Sequence, residues 1–353
     1  MQILTDTPLR QPPVDYCPPG SEQWFTIPDG PDRGRRMFYF DHLTGPGEPE
    51  GTVLLVHGAP ECSYTYRHIV SSLIASGRTI RIVAMDHLGY GLSDQASFEM
   101  IDVHHSANVA MLVRALGLRE VTMVVHDWGG PIGIGALIDE PDRLQNLVVL
   151  NSTIFPMPAE GFTYRNFPIT WLPWSRTPHV VPDRWWGGVA AYVVPHARPQ
   201  STARFLTQVT RWIVRHGAGR IRPEEPEYVW SQMLQSSANG RSAKRMCRHT
   251  ARWGYGYSYR DRRLGQVDNF AFYHRFGERV SEAWGPQGSG IGVAGHFGAW
   301  DACGKSSVID QWHHALPQLR AHTHVYPELG HFIEEDRGPQ ITASLLALLD
   351  GAV

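Results

Sequence analysis

With 353 residues the chain is long enough to bury a large core, as one enlarged domain or as a domain carrying an inserted subdomain. A formal net charge of -2 makes no electrostatic case for nucleic acid or for an anionic membrane surface. Four scattered cysteines (Cys17, Cys62, Cys247, Cys303) form no CxxC pair, which fits reduced thiols in a cytoplasmic protein.

Residues 1–35 read as an irregular lead-in rich in Pro and Gly, with no basic-then-apolar leader pattern over Met1 to Tyr16. No apolar run approaches the ~18 residues that a membrane helix needs. Met37 to His42 and Thr52 to His57 read as strands, the second apolar enough to be buried on both faces. Tyr66 to Ala75 has helical spacing, and Thr79 to Met85 is a strand running into the Gly-rich loop Asp86 to Asp94. His104 to Leu116 is helical, with Gly117 placed to cap its C-terminus. The apolar run Val121 to Val125, a helix from Gly130 to Asp139 and a strand Leu147 to Leu150 follow. Strands alternating with helices at this spacing predict a parallel, doubly wound α/β sheet.

After Asn151 the rhythm breaks. Residues 152–288 contain no clear buried strand and hold Trp171, Trp174, Trp185, Trp186, Trp212, Trp230, Trp253 and Trp284 among many arginines. Strand and helix patterns resume at Gly290 to Ala294, His322 to Tyr326 and Gln340 to Leu349. The expected organisation is a core of 36–151 and 289–353 with an enlarged, mainly helical cap of 152–288. The cap enters where strand C-termini emerge, which is where open α/β sheets bind ligands.

Chemistry concentrates at Val125-His126-Asp127-Trp128-Gly129. An apolar strand that meets one polar residue and then small residues has the form of a strand-to-helix elbow. The presented atom here is a carboxylate oxygen, which attacks carbon and leaves an ester for water to cleave. Asp127 can also be read as a helix N-cap. His57-Gly58-Ala59-Pro60 follows an earlier buried strand, where a backbone N–H can face developing negative charge, with the N–H of Trp128 as second donor. His331, in Gly330-His331-Phe332, falls last in the order nucleophile, acid, histidine and is placed to activate water. Its orienting acid is expected to be Asp301, with Asp310 the competitor; Asn151 carries no charge.

Together these motifs resemble the haloalkane dehalogenases and, one step further out, the epoxide hydrolases of the α/β-hydrolase superfamily. The resemblance covers residues 35–150 and the run Gly330 to Asp336. It implies an α/β-hydrolase fold and no cofactor, with a small apolar halogenated substrate and halide and alcohol as products. Asp127 would form an alkyl ester, His331 held by Asp301 would activate water, and the Trp128 indole N–H would bind the halide. Many dehalogenases carry Asn after His-Gly as a second halide ligand. Ala59 stands there in this chain, leaving Trp171, Trp174, Trp185 or Trp186 of the cap as candidates.

Two alternatives stay open. An epoxide hydrolase would use the same Asp and His with cap tyrosines, for which Tyr164, Tyr192, Tyr255, Tyr257 and Tyr259 are candidates. A non-catalytic member of the fold would bind a ligand or partner at the cap and need none of the three polar residues. A serine-type esterase is disfavoured because the elbow holds no Ser or Cys. A metal centre is disfavoured because His104-His105 and His313-His314 are adjacent pairs that point to different sides.

Overall fold

In the computed structural model the described residues are 7–352, apart from 167–172, 183–185, 187–189, 191–200, 223–224, 226–227 and 230–236. The two apolar runs nearest the motifs become β3 (Thr52–Val56) and β5 (Val121–His126), buried at every position but Thr52. Continuous burial, in place of alternation, is what a strand covered on both faces requires. With β1 (Glu22–Thr26), β2 (Arg36–Leu43), β4 (Arg81–Met85) and β6 (Leu144–Leu150) they join β9 (Gly292–Gly298) and β10 (Thr323–Tyr326) in one eight-stranded sheet. The strand order is β1-β2-β4-β3-β5-β6-β9-β10. Only β2 runs against the others, pairing antiparallel with both β1 and β4. The expected mostly parallel, doubly wound sheet is therefore the observed one.

Helices cross between the parallel strands: α1 (Arg67–Ala75), α2 (Asp102–Ala115), α3 (Gly129–Leu137), then, beyond β6, α4 (Thr177–Val180), α5 (Thr202–Gly217) and α6 (Ser237–Arg248). After the antiparallel hairpin β7 (Ser258–Asp261) and β8 (Gly265–Asp268) come α7 (Phe270–His274) and α8 (Phe276–Trp284). The chain closes with α9 (Ser306–Ala315) and α10 (Ile333–Leu349). α1 packs on α10 and α2 on α3. Among the described residues no helix is long and apolar enough to cross a membrane.

Three boundaries differ from the sequence reading. The lead-in is not wholly irregular: Glu22–Thr26 forms a sheet edge strand, and the Tyr16 hydroxyl donates to Asp86 at 2.7 Å. Its mix of half-buried and exposed positions, with no clean alternation, hides an edge strand among prolines and glycines. The core also resumes before residue 289. Arg275 and Arg279 pair with Asp139, and the Trp284 indole donates to Pro141 O, so the helices over 270–284 are tied to the end of α3. Finally, α10 begins at Ile333, seven residues before the expected Gln340, because it tolerates a kink at Arg337 just ahead of Pro339.

Candidate active site

β5 ends at His126, and α3 starts at Gly129, leaving Asp127 on the bend with φ of +49°. A left-handed conformation costs an ordinary residue about 1 kcal/mol and persists only where packing enforces it. Here the enforcement is close backbone approach. A Cβ on Gly129 would sit 2.1 Å from Val56 O, and one on Gly58 would sit 2.6 Å from both Asp127 Oδ2 and Trp128 N. The strands β3 and β5 thus bring the Gly58-Ala59 turn directly against the elbow. The Ala59 N–H donates to Asp127 Oδ2 at 3.0 Å.

His331, after β10, places Nε2 3.5 Å from Asp127 Oδ1, while its Nδ1 lies 2.8 Å from Asp301 Oδ2. Asp301, after β9, is fully buried and takes further hydrogen bonds from Cys303 N at 2.7 Å and from the Tyr164 hydroxyl at 3.2 Å. The competitor Asp310 is exposed on α9. The structure therefore gathers Asp127, His331, Asp301, Ala59 and Trp128 at one point, with the extreme pair, Ala59 and His331, 272 residues apart.

Charge follows from burial. Desolvation pushes the Asp127 carboxyl up to about 6, with the His331 charge pulling the other way. Burial lowers the affinity of His331 for a proton, but the Asp301 charge and its hydrogen bond outweigh this and raise its pKa. His57 is held neutral by burial and by the neighbouring His87. Its Nε2 accepts from His87 N at 2.9 Å, a structural tie between the turn and the Gly-rich loop.

The sequence reading missed several parts of this site. Asn151, with φ of +35°, donates to Gly330 O at 2.8 Å and His331 O at 2.7 Å, and accepts from Gly298 N at 2.8 Å. It joins the His331 loop to the end of β9. Trp253 of the cap stacks on Trp128, and its indole donates to Thr153 O at 2.6 Å. Spacing gave no sign of either role, because each depends on residues a hundred or more positions away. Glu61, His126 and Glu334 form a second buried polar group directly behind Asp127, their ligand-type atoms within 4.8 Å of one another.

Of the cap candidates, Trp171, Trp185 and Tyr192 lie outside the described residues. Trp186 is fully buried and donates to Thr177 Oγ1, while Trp174 packs against it at 5.7 Å between centroids. Tyr164 is committed to Asp301, Tyr259 donates to Glu99 O, and Tyr255 is exposed. Tyr257 is buried against His249, and its hydroxyl has no partner among the described residues.

A family model described as the alpha/beta hydrolase fold matches residues 51–271. The chain is an α/β-hydrolase-fold protein. Over 129 residues this α/β-hydrolase chain is 36% identical to a cis-3-alkyl-4-alkyloxetan-2-one decarboxylase of Shewanella oneidensis, a match covering 35% of this chain and 38% of that protein. Over 149 residues it is 33% identical to haloalkane dehalogenase 2 of Mycobacterium tuberculosis, covering 40% of this chain and 48% of that one. These matches thus span less than half of either relative's length. Among solved structures, haloalkane dehalogenase DpaA from Paraglaciecola agarilytica NO2 superposes with a TM-score of 0.61 at 20% identity, covering 95% of this chain and 94% of that chain. That likeness establishes the shared fold.

Proposed function

We propose that this chain is a hydrolase that cleaves carbon–halogen bonds of small apolar molecules through an ester on Asp127. The observation that carries the reading is His331, set between the two carboxylates with Nε2 3.5 Å from Asp127 Oδ1 and Nδ1 2.8 Å from Asp301. Asp127 Oδ2 is held by the Ala59 N–H, leaving Oδ1 to attack an sp³ carbon as the halide departs. The Trp128 indole N–H is the halide donor in this reading, since it can donate and cannot accept. His331 then takes a proton from water, and the resulting hydroxide attacks the ester carbonyl. The oxyanion develops at the oxygen facing the Ala59 N–H, and collapse releases the alcohol. His331, paired with Asp301, carries the proton until it passes to solvent.

A second reading rests on two observations: Ala59 supplies no side-chain halide donor, and the buried Tyr257 hydroxyl has no partner among the described residues. Both suit opening of an epoxide, in which a tyrosine protonates the ring oxygen. The test is bromide and proton release from a panel of brominated alkanes, run beside epoxides and a cis-dialkyl β-lactone. Bromide release that disappears in Asp127→Ala supports the proposal. Diol or alkene formation without bromide release rejects it in favour of a strained-ring substrate. Turnover retained in Asp127→Ala sinks the nucleophile in every version.

A further inference from the structure

The buried group behind Asp127 has a hydrogen-bond pattern that favours one protonation state of its histidine. His126 is fully buried. Its Nδ1 lies 2.8 Å and 3.0 Å from the two carboxylate oxygens of Glu61, and its Nε2 lies 3.0 Å from the backbone carbonyl of His331. A carbonyl oxygen only accepts, so Nε2 must carry a proton. Glu61 Oε1 already accepts from Gly58 N at 2.5 Å, as an ionised carboxylate does. Nδ1 faces three carboxylate oxygens, the two of Glu61 and Glu334 Oε1 at 3.4 Å, a setting that calls for a donor there as well. A histidine that donates from both nitrogens is an imidazolium.

We infer that His126 is a permanent buried imidazolium strut, a positioning residue that ties the Gly58-Ala59 turn to the His331 loop and keeps a positive charge beside Asp127. The inference rests on Asp127 being the nucleophile. One end of the strut reaches Gly58 N through Glu61, and the other fixes the His331 carbonyl, which Asn151 also holds. It therefore spans the two loops that must face Asp127 from opposite sides.

The surroundings supply the balancing charge. Glu61 and Glu334 are both buried, and Glu334 Oε1 stands 3.4 Å from His126 Nδ1 while accepting from the Thr65 hydroxyl. Glu334 Oε2 has no partner among the described residues. Asp127 adjoins along the chain, the His331 ring is 4.7 Å away between centroids, and Phe332 closes the remaining side at 5.2 Å. Burial opposes a charge on His126, but Glu334 and Glu61 outweigh it and raise its pKa well above the ordinary value. Burial likewise pushes the Glu334 carboxyl up to about 7, with the His126 charge pulling the other way. A buried imidazolium without such partners would lose its proton. Its charge in turn favours the ionised form of Asp127, which burial opposes.

The decisive measurement is ¹⁵N NMR of histidine-labelled full-length His331→Gln, which removes the other raised imidazole. The expected spectrum holds one histidine with both ring nitrogens protonated from pH 5 to pH 9. All histidines neutral at pH 8 would overturn the inference, whatever the enzyme does with substrate. The second arm follows single-turnover bromide release against pH in the same background with His126→Gln added. Its acid limb is expected to move to higher pH, because the carboxylate has lost its neighbouring cation. An unmoved limb in a folded variant would overturn the role beside Asp127. A persistent imidazolium with no bromide burst in any variant leaves the strut standing and removes the nucleophile reading instead.

Discussion

Trp253 of the cap lies face to face on Trp128 of the core, with ring centroids 4.2 Å apart and planes within 2°. Tyr164 continues the stack on Trp253 at 5.8 Å and reaches Asp301 with its hydroxyl. One aromatic column thus links the residue after Asp127 to the carboxylate that meets His331. It also makes the cap's seat on the core part of the site's geometry.

Trp253→Ala is expected to destabilise the protein by about 3–5 kcal/mol, the usual loss for a fully buried tryptophan. It should also weaken bromide binding, since the Trp128 indole loses the surface that fixes its plane. Trp253→Phe keeps an aromatic face and should recover most of both. Urea unfolding and bromide quenching of tryptophan fluorescence check the pair.

Tyr164→Phe removes one donor from Asp301 and leaves the Cys303 N–H and His331 in place. The expected cost is about 1–3 kcal/mol of stabilisation of the charged carboxylate. Ester hydrolysis should slow while ester formation holds. Pre-steady-state bromide release compared with steady-state alcohol formation separates the two.

Asn151→Ala leaves Gly298 N without its acceptor and removes the amide from the carbonyls of Gly330 and His331. Asn151→Asp keeps the acceptor but turns a carboxylate toward two carbonyl oxygens. The acid variant is expected to be the less stable of the two, because a buried charge facing like dipoles costs more than a missing bond. Thermal unfolding at one pH orders them.

The pH dependence of stability has a definite sign at Asp127. Burial raises its carboxyl from 3.8 to about 6, so the native state keeps a proton that the unfolded chain has lost. Stability from this group is full below about pH 4 and falls as pH rises through 6. Asp127→Asn should therefore be more stable than the parent by roughly 2–3 kcal/mol at pH 7.5, with the gap closing at pH 4. His331 works the same way further up: its raised pKa stabilises below 6.5 and that contribution is lost as pH passes the folded value. The proposed mechanism needs the opposite states, an ionised Asp127 and a neutral His331, so bromide release should rise with pH through about 6 and ester hydrolysis should rise at higher pH still. Urea titrations and burst kinetics across pH 4–9 check both limbs.

Local rules made much of this chain legible from its order of residues alone. Continuous apolar runs such as Thr52–Val56 and Val121–His126 mark strands covered on both faces, and Gly58 and Gly129 mark backbone that must come close. Asp127 stands out because a single charged residue ends a buried strand. The edge strand Glu22–Thr26 and the early start of α10 escaped because neither carries a full apolar period. Only the tertiary structure decided that Asp301, and not Asp310, faces His331, since each is a single acid set among mostly apolar neighbours. It alone placed Asn151 on the base loop, Trp253 on Trp128 and Glu334 beside His126. The physical reason is the range of the forces involved. Burial periodicity and backbone conformation act over a few residues, whereas hydrogen bonds and ring stacking between loops depend on which strands the sheet has set side by side.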